Sequence, residues 1–501
     1  MPKRATTYPI MLPVRTAGMS ANRWLYGALR GQILEGRLRP GARVPGTRDL
    51  AGQYGLSRGT IVDAFDQLKS EGYLQGSMGS GTYVSEVLPD EFLRVHPRKD
   101  SAAPGRRSRR RHISDYARRV SLFPNLENRP SRAFRSNVPA LDLFPVDVWA
   151  HIAARRLRRA SSTMLLGCEP AGYRPLREAV ADYLVSSRGA VCTADQVVIL
   201  NGVQEAIDLA ARLFLNPGDR VCMEDPGYTG ASRAFQAAGA TLSPARLDDE
   251  GITMGRAALA GTRLVYVTPG HQFPLGTTMS LRRRLELLEW ARTNGALILE
   301  DDYDSEFRYA GRPIPALQGL DKAGAVLFAG SFNKVIFPSL RLGYVVVPPD
   351  LTSLFEAAIS ISRRHLPVIE QAVLCDFIAE GHFGRHLRRM REVYAGRLST
   401  LIEAAHQRLQ GLLDVSAVQA GLQTAGWLSR NVKAEAAAAA AALRNVEVVP
   451  LNRYSRRMLP REGLQLGFAA IDEKEIKRGV ADLAIALEAQ THAPETTGRR
   501  R

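Results

Sequence analysis

Five side chains of complementary chemistry lie between positions 301 and 341 and follow two apolar, strand-like runs. They are the carboxyl of Asp301, the phenol of Tyr303, the hydroxyl of Ser331, the amine of Lys334 and the guanidinium of Arg341. A lysine amine traps an aldehyde as a Schiff base, an acid holds the proton of a pyridine nitrogen, and a phenol can reach a phenolic oxygen. The sequence therefore predicts a pyridoxal phosphate site in which Lys334, Asp301 and Tyr303 fill these three roles.

A phosphate cradle is predicted at the start of a helix further upstream. Asn201-Gly202-Val203-Gln204 opens this helix, where free backbone N–H groups and the positive end of the helix dipole favour an anion. Ser331 adds a hydroxyl and Arg341 adds a forked cation. Tyr228, within Pro226-Gly227-Tyr228, is expected to stack on the cofactor ring.

Apolar runs alternate with helical patterns over residues 136–490 and are expected to position these groups. Continuous apolar strands separated by helices are typical of a largely parallel sheet that is buried on both faces. A smaller C-terminal α/β unit is expected to begin with a helix around 383–397. The predicted strands of the sheet are 196–200, 220–224, 264–268, 296–300, 325–329 and 343–347.

A different pattern, close to the N-terminus, predicts a helix-turn-helix. Apolar residues at helical spacing indicate a first helix within 20–38, and a second is expected over 47–54. Ser57 is predicted to cap a third helix. The buried face of this third helix carries Ile61, Phe65 and Leu68.

A hairpin and a basic linker are predicted to follow. Two short strands flank the glycine-rich stretch 76–81, which suits a tight hairpin, or wing, whose backbone can approach a groove closely. The whole winged domain is assigned to residues 18–86. Residues 87–135 are polar and carry an arginine run at 106–111, so they are predicted to be a flexible linker. The run either adds phosphate contacts or belongs to a solvated tether, and the tail 491–501 is expected to be disordered.

The positive charge is concentrated in the N-terminal part of the chain. The formal net charge is +17, and residues 1–135 hold 24 Lys and Arg against 11 Asp and Glu. The remaining 366 residues hold 43 against 39. Such a localised excess of positive charge is expected of a segment that binds a polyanion. A general role in solubility explains it less well, because that role does not require the charge to be concentrated in one part of the chain.

Cysteine spacing and hydropathy exclude several classes of protein. The four cysteines show no CxxC spacing, so neither a metal module nor a disulfide framework is indicated; they are Cys168, Cys192, Cys222 and Cys375. The N-terminus lacks the apolar region of a signal peptide, and no window approaches the length of about 18 apolar residues that a membrane helix needs. A soluble cytoplasmic protein is therefore expected.

Four sequence blocks near the N-terminus resemble the winged head of GntR-type bacterial regulators, and they are 44–51, 56–61, 68–74 and 79–84. The first turn of such a recognition helix enters the major groove, where Arg58 could fork onto a guanine edge and Thr60 could contact a base or phosphate. The resemblance adds Arg48 from the preceding helix. The expected partner is an operator in double-stranded DNA, and the expected contact residues are Arg48, Ser57, Arg58, Gly59, Thr60 and Gly79.

Residues 136–485 resemble fold-type I aminotransferases, and three motifs look like those of the MocR branch of GntR regulators. The motifs are HQFP at 271–274, EDDYDSEFRY at 300–309 and GRPIPALQ at 311–318. The resemblance implies an α/β fold-type I pyridoxal-phosphate-dependent transferase body, with the cofactor bound as an internal aldimine on Lys334. It also implies an aminotransferase-like homodimer in which, for some members, the heads pack against the partner subunit.

One departure from working aminotransferases concerns the cofactor. Many of those enzymes carry, before Pro-x-Gly, an asparagine that bonds the phenolic oxygen. This chain has Phe273 before Pro274-Leu275-Gly276, and His271 or Gln272 is the candidate replacement.

A second departure concerns the ligand. Gln465 stands where aminotransferases place an arginine for the substrate carboxylate. Three other arginines, Arg453, Arg456 and Arg461, could reach the site from elsewhere. An ordinary α-amino acid is therefore not expected to bind well.

The residues favour a transcriptional regulator. In this interpretation pyridoxal phosphate binds at Lys334, an amine or amino-acid-like effector joins it through an aldimine, and the bound state changes operator affinity. An alternative is a catalytically active class I/II aminotransferase that carries a DNA-binding head, with Lys334 also moving the substrate proton. A third possibility, a DNA-binding protein whose body is only a dimerisation scaffold, is disfavoured because the five polar residues at 301–341 are all in register.

Overall fold

The computed structural model describes residues 10–15, 18–77, 81–88, 111–122, 132–309, 314–429 and 431–491. These residues belong to two compact units, which divide between Arg111 and His112. Some predictions fall wholly or partly on residues outside the described ranges: the wing residue Gly79, most of the linker 87–135 with its arginine run, and the tail beyond Thr491.

The N-terminal unit, called the head here, combines three helices with a small antiparallel sheet. Its helices are α1 (Ala21–Leu34), α2 (Thr47–Tyr54) and α3 (Arg58–Ser70). Its strands are β1 (Arg43–Val44), β2 (Leu74–Ser77) and β3 (Gly81–Val84), in the order β1-β3-β2. The predicted helix-turn-helix is confirmed, and β1 was not predicted because two residues are too few to show a strand pattern.

The core of the head includes residues that precede position 18. Ile10 is only 2% exposed and packs in the same cluster as Leu25 and Phe65. The Tyr54 hydroxyl donates to the Ile10 carbonyl, and the Leu12 N–H donates to the Tyr54 oxygen at 3.1 Å. The head therefore begins earlier than the sequence indicated, because these residues form no regular element that a periodicity could predict.

The second unit, called the body here, contains the helices that the structure describes after position 111. These helices are α4 (Asp115–Arg119), α5 (Val146–Arg158), α6 (Ser162–Leu166), α7 (Arg174–Arg188), α8 (Val203–Phe214), α9 (Thr229–Ala238), α10 (Arg256–Leu259), α11 (Leu281–Asn294), α12 (Leu317–Leu320), α13 (Thr352–Ser362), α14 (Val368–Ala379), α15 (His382–Arg408), α16 (Ala434–Ala442) and α17 (Glu473–Thr491). Among the described helices, none combines the length and apolar character that crossing a membrane requires.

A seven-stranded sheet forms the centre of the body. The strands of this region are β4 (Val197–Leu200), β5 (Arg220–Glu224), β6 (Thr241–Ala245), β7 (Leu247–Asp248), β8 (Gly251–Ile252), β9 (Thr262–Val267), β10 (Leu297–Asp302), β11 (Val326–Ser331) and β12 (Gly343–Val346). The sheet order is β4-β12-β11-β10-β9-β5-β6, and β7 and β8 pair separately. Alternate strand residues face opposite cores, as Val198 and Val197 do, so the sheet is buried on both faces as predicted.

Two features of this sheet differ from the prediction. Strand β6 was missed because Ser243 and Pro244 interrupt its apolar run. Strand β12 runs antiparallel to both of its neighbours. The connection from β11 to β12 contains only the short 3-10 turn Pro338–Leu340 in place of the crossover helix that a parallel pair needs.

The smaller C-terminal unit predicted from the sequence is confirmed. Its sheet consists of β13 (Leu413–Val415), β14 (Gln423–Leu428), β15 (Val449–Pro450) and β16 (Gly463–Gly467), in the antiparallel order β13-β14-β16-β15. The predicted helix around 383–397 is the longer α15, which packs with α17 beside this sheet.

Part of the segment predicted to be a flexible linker packs on the body. Ala133 and Phe134 are fully buried, and Phe134 forms a bridge with Gly467 of β16. Helix α4 lies against α9, where Arg119 Nε donates to the Ala237 carbonyl at 3.0 Å. These contacts join distant parts of the chain, and a local polar composition carries no signal for them.

Candidate cofactor and nucleic-acid sites

The candidate DNA-contacting side chains cluster at the start of α3. Ser57 is the N-cap, and its Oγ accepts from the Thr60 N–H at 3.1 Å and lies 2.8 Å from the Thr60 hydroxyl. Arg58 and Gly59 are exposed in the first turn, and Arg48 is exposed on α2. The cap occupies the Ser57 hydroxyl, so the two arginines are the side chains best placed to reach a groove.

Lys334 follows β11 and points into the body. Its Nζ donates to the backbone carbonyl of Asn137 at 2.8 Å. Burial of the amine lowers the pKa of Lys334 to about 8, with Arg341 acting in the same direction and Asp304 opposing it. The amine is therefore neutral far more often near pH 7.5 than that of an ordinary lysine, which is the form that attacks a carbonyl group.

Asp301 lies near the end of β10 with one oxygen paired and the other available. Its Oδ2 accepts from the Tyr266 hydroxyl at 2.6 Å, whereas its Oδ1 is buried and has no hydrogen-bond partner. Burial raises the pKa of Asp301 to about 7, and the Tyr266 hydrogen bond opposes this shift. A buried carboxyl oxygen without a partner is costly, and the protonated nitrogen of a pyridine ring would satisfy it.

Tyr303 belongs to a buried polar group with His271 and Asp304. His271 Nδ1 lies 3.0 Å from Asp304 Oδ1, and the Tyr303 hydroxyl lies 3.1 Å from the same nitrogen. Because a carboxylate only accepts, the Nδ1–H of His271 donates to Asp304. His271 Nε2 is buried without a partner.

The first turn of α8 is packed against the loop that carries Lys334. Gly202, the N-cap, has φ +91°, and a Cβ at this position would come within 2.6 Å of Asn333 Nδ2. Only glycine fits both the backbone conformation and the close approach. The N-terminal turn of α8, which includes the Val203 and Gln204 N–H groups, therefore lies against the loop that carries Lys334.

Ser331 and Arg341, the other two candidates for phosphate binding, lie close to this turn. Arg341 donates to the Asn201 carbonyl at 2.9 Å, and Ser331 Oγ accepts from the Asn333 N–H at 3.2 Å. The Gln204 side chain is already hydrogen-bonded, because its Oε1 accepts from the Tyr228 hydroxyl at 3.1 Å. Its backbone N–H is thus the group that Gln204 can offer to a phosphate.

Phe273 occupies the centre of an aromatic cluster. Its ring contacts those of Tyr228, Tyr303 and Tyr454 edge to face, at centroid distances of 5.8, 5.9 and 5.0 Å. Gln272 is turned into its own loop, where its Nε2 donates to the Pro226 carbonyl at 2.9 Å and its Oε1 accepts from the Leu275 N–H at 3.1 Å. Of the two candidate replacements for the missing asparagine, His271 is the one beside Tyr303.

Tyr266 and Asn137 are the two site residues that the sequence did not reveal. A tyrosine inside a largely buried strand needs a partner for its hydroxyl, so Tyr266 carried a signal that some polar group lay nearby, but not which one. Asn137 carried none, because its contact with Lys334 is made by a backbone carbonyl 197 positions away.

Two family models match the chain. Residues 133–483 match the aminotransferase class I and II family, and residues 22–84 match the gntR family of bacterial regulatory proteins. The two matches cover the body and the head respectively.

Curated relatives and solved structures agree with this division. The probable rhizopine catabolism regulatory protein MocR of Rhizobium meliloti is 37% identical over 484 residues, which is 96% of this chain and 97% of that protein. The HTH-type transcriptional regulator TauR of Rhodobacter capsulatus is 32% identical over 74% of this chain and 77% of that protein. The structure of LysN, an α-aminoadipate aminotransferase of Thermus thermophilus complexed with N-(5'-phosphopyridoxyl)-L-leucine, is 28% identical, with a TM-score of 0.66 over 72% of this chain and 92% of that one.

A winged helix-turn-helix head and a fold-type I aminotransferase body in one chain define a bacterial regulator of mixed architecture. The head of this architecture implies DNA binding, and the body implies pyridoxal phosphate as the cofactor. The chain belongs to the MocR branch of the GntR family.

Proposed function

We propose that this chain is a cytoplasmic, homodimeric transcriptional regulator whose affinity for an operator responds to pyridoxal phosphate held covalently by Lys334. An amine effector that joins the cofactor is part of the same proposal. The observation that carries it is the unpaired Oδ1 of Asp301, a buried acceptor at the end of β10, with the desolvated Lys334 amine on the loop that follows the neighbouring strand β11.

The residues of the body divide the work of holding the cofactor. When bound, pyridoxal phosphate supplies an aldehyde that condenses with amines. Lys334 provides the amine, and Asp301, kept in place by Tyr266, holds the proton on the ring nitrogen. The first turn of α8, with Ser331 and Arg341, receives the phosphate.

A tyrosine, a histidine and a second aromatic ring complete the proposed site. Tyr303 is held beside His271 and faces the phenolic oxygen in this proposal. Tyr228, tied to Gln204, limits the movement of the ring. Regulation then requires that the loaded body favour one arrangement of the dimer, because a ligand shifts an equilibrium only by its difference in affinity for the two states.

Residual transamination is the second candidate function. The lowered pKa of Lys334, about 8, suits an amine that must accept and return a proton near neutral pH. The similarity of the body to aminotransferases also agrees with turnover. Lys334 would then move the proton of a substrate in addition to holding the cofactor.

A paired titration tests the proposal and separates the two functions. Purified protein is titrated with pyridoxal phosphate and then with amines, while absorbance and binding to its own upstream DNA are measured. A colour that Lys334→Ala abolishes and the exposed-lysine control Lys322→Ala retains, together with a change in DNA affinity, is the expected result. Steady release of a keto product with unchanged DNA binding would instead show an enzyme.

A further inference from the structure

Gln465 is a fully buried side chain with one hydrogen-bonding group still available. It lies on β16, its Oε1 accepts from the Tyr454 hydroxyl at 2.9 Å, and its Nε2 has no partner. The Tyr454 ring in turn packs on Phe273, beside Tyr303. An amide nitrogen buried without an acceptor is unfavourable, so a ligand oxygen at this point would be well bound.

The sheet face that carries Gln465 looks toward the Lys334 amine. Gln423 lies opposite Gly467, and Ala425 lies opposite Gln465, so the two glutamines share one face. The Asn137 N–H donates to Gln423 Oε1 at 2.9 Å, and the Asn137 carbonyl accepts from Lys334. A single residue therefore connects this face to the proposed cofactor lysine.

No cation lies on this face among the positions that the register assigns to it. Those positions are Asp414, Gln423, Ala425, Trp427, Val449, Gly463, Gln465 and Gly467. The arginines that could have supplied a cation from elsewhere are otherwise engaged: Arg453 pairs with Glu435, and Arg461 lies beside the Trp427 and Leu428 carbonyls. Arg456 is exposed.

The surroundings of Tyr303 are acidic. Burial raises the pKa of Tyr303 well above its ordinary value, and the carboxyl groups of Asp304, Asp301 and Glu224 raise it further. The cations nearby have other roles, because Lys334 holds the cofactor in the proposed function and Arg341 is at the Asn201 carbonyl. A ligand carboxylate would therefore enter a region rich in carboxyl groups with no cation left for it among the residues that the structure describes, which opposes its binding.

We propose that the effector is a primary amine without a carboxylate, of the amino alcohol or aminopolyol class, whose uncharged oxygen accepts a hydrogen bond from Gln465 Nε2. Gln465 is then the residue that determines ligand specificity. This inference rests on the proposed function, because it requires the amine to approach the cofactor at Lys334.

Matched pairs of amines provide the test. Full-length protein loaded with pyridoxal phosphate is titrated with serinol against serine and with 4-aminobutanol against 4-aminobutyrate, and both cofactor absorbance and thermal stability are recorded. Each alcohol is expected to act at a concentration about tenfold or more below that of its acid. The alcohol gains one hydrogen bond from Gln465, whereas the acid buries a carboxylate without a cation. Acids that act at equal or lower concentration would overturn the inference.

Two variants at one position connect the preference to Gln465. Gln465→Arg adds a cation and is expected to move the preference toward the acids. Gln465→Met keeps a similar size but removes the donor, so it should weaken both alcohols. An unchanged preference in either variant, with cofactor uptake and thermal stability like those of the wild type, would also overturn the inference. A protein that takes up no pyridoxal phosphate before any amine is added refutes the proposed function itself, so the two failures are distinct.

Discussion

The Nζ of Lys334 donates to the backbone carbonyl of Asn137 at 2.8 Å. Asn137 has φ +66°, and Phe134, three residues earlier, has the same value. A covalent bond from Lys334 to a cofactor would compete with this hydrogen bond, because both use the same nitrogen. The segment that leads along the chain toward the head is thus in direct contact with the reactive amine.

Substitutions of Asn137 test the importance of this contact. Asparagine tolerates the left-handed region better than alanine does, so Asn137→Ala is expected to destabilise the protein by about 1 kcal/mol, and Asn137→Gly by less. Thermal unfolding of both variants measures this difference. If the segment transmits the state of Lys334, the alanine variant also shows a reduced change in DNA affinity on adding pyridoxal phosphate, whereas an undiminished response would exclude that role.

Asp301→Asn is expected to weaken pyridoxal phosphate binding by about 2–3 kcal/mol, since an amide cannot provide the anionic partner of a protonated ring nitrogen. Tyr266→Phe removes only the hydrogen bond that orients Asp301, so a smaller loss is expected. Dissociation constants from absorbance titrations give both values. Equal losses in the two variants would indicate that Asp301 acts only through its bond to Tyr266.

Covalent capture of the cofactor should depend on pH in a specific way. The neutral amine of Lys334 is the reactive form, and its pKa is lowered to about 8. The capture rate is therefore expected to rise about tenfold per pH unit below pH 8 and to level off above it. Stopped-flow absorbance from pH 6 to 9.5, with Nα-acetyl-lysine as a control for titration of the cofactor, measures the profile. A rate that still rises steeply at pH 9.5 would contradict a desolvated lysine.

Glu224→Gln should stabilise the protein at high pH only. Burial raises the pKa of Glu224 to about 7, above its ordinary value of 4.5. Between these two pH values the unfolded chain loses its proton while the folded chain retains it, so folding of the wild type becomes less favourable as the pH rises. The glutamine variant lacks this loss and should be more stable by about 1–3 kcal/mol at pH 8 but nearly equal at about pH 4, below the ordinary pKa. Urea denaturation at both pH values provides the comparison.

Arg58→Ala is expected to weaken operator binding by about 1–3 kcal/mol and to leave random DNA nearly unaffected, as befits a residue that reads base edges. Ser57→Ala is the matched control for a loss of stability without loss of the arginine. Removing the cap should lower the stability of the head by about 1 kcal/mol. Thinning the arginine run at 106–111 should weaken all DNA about equally and flatten the salt dependence. Gel-shift titrations at two salt concentrations distinguish these cases, and an equal loss on both DNAs for Arg58→Ala would exclude base reading.

Local patterns predicted the elements that position the site. The spacing of Ile61, Phe65 and Leu68 predicted the buried face of α3, and the apolar runs predicted six strands of the central sheet. The candidate cofactor lysine was found in the same way, because Lys334 follows one of those runs. Periodicity succeeds here because each element buries a face that its own sequence defines.

The contacts that give these residues their chemistry were not predictable. Asn137 meets Lys334, and Tyr266 meets Asp301, only after the sheet has assembled. The start of α8 was found from the sequence, but the reason for Gly202, the approach of Asn333, was not. Such contacts depend on strand order and register, which are long-range properties of the fold.

The two ends of the proposed ligand site belong to different sheets. The lysine, the acid and the phosphate turn belong to the seven-stranded sheet and its loops, whereas Gln465 and Gln423 stand on the four-stranded sheet near the C-terminus. An engineer can therefore alter the second sheet, apart from Gln423, which holds the Asn137 N–H, without changing any residue of the seven-stranded sheet. Libraries restricted to β14 and β16 would be the economical way to convert this protein into biosensors for other amines, with the head and its operator kept as a common output.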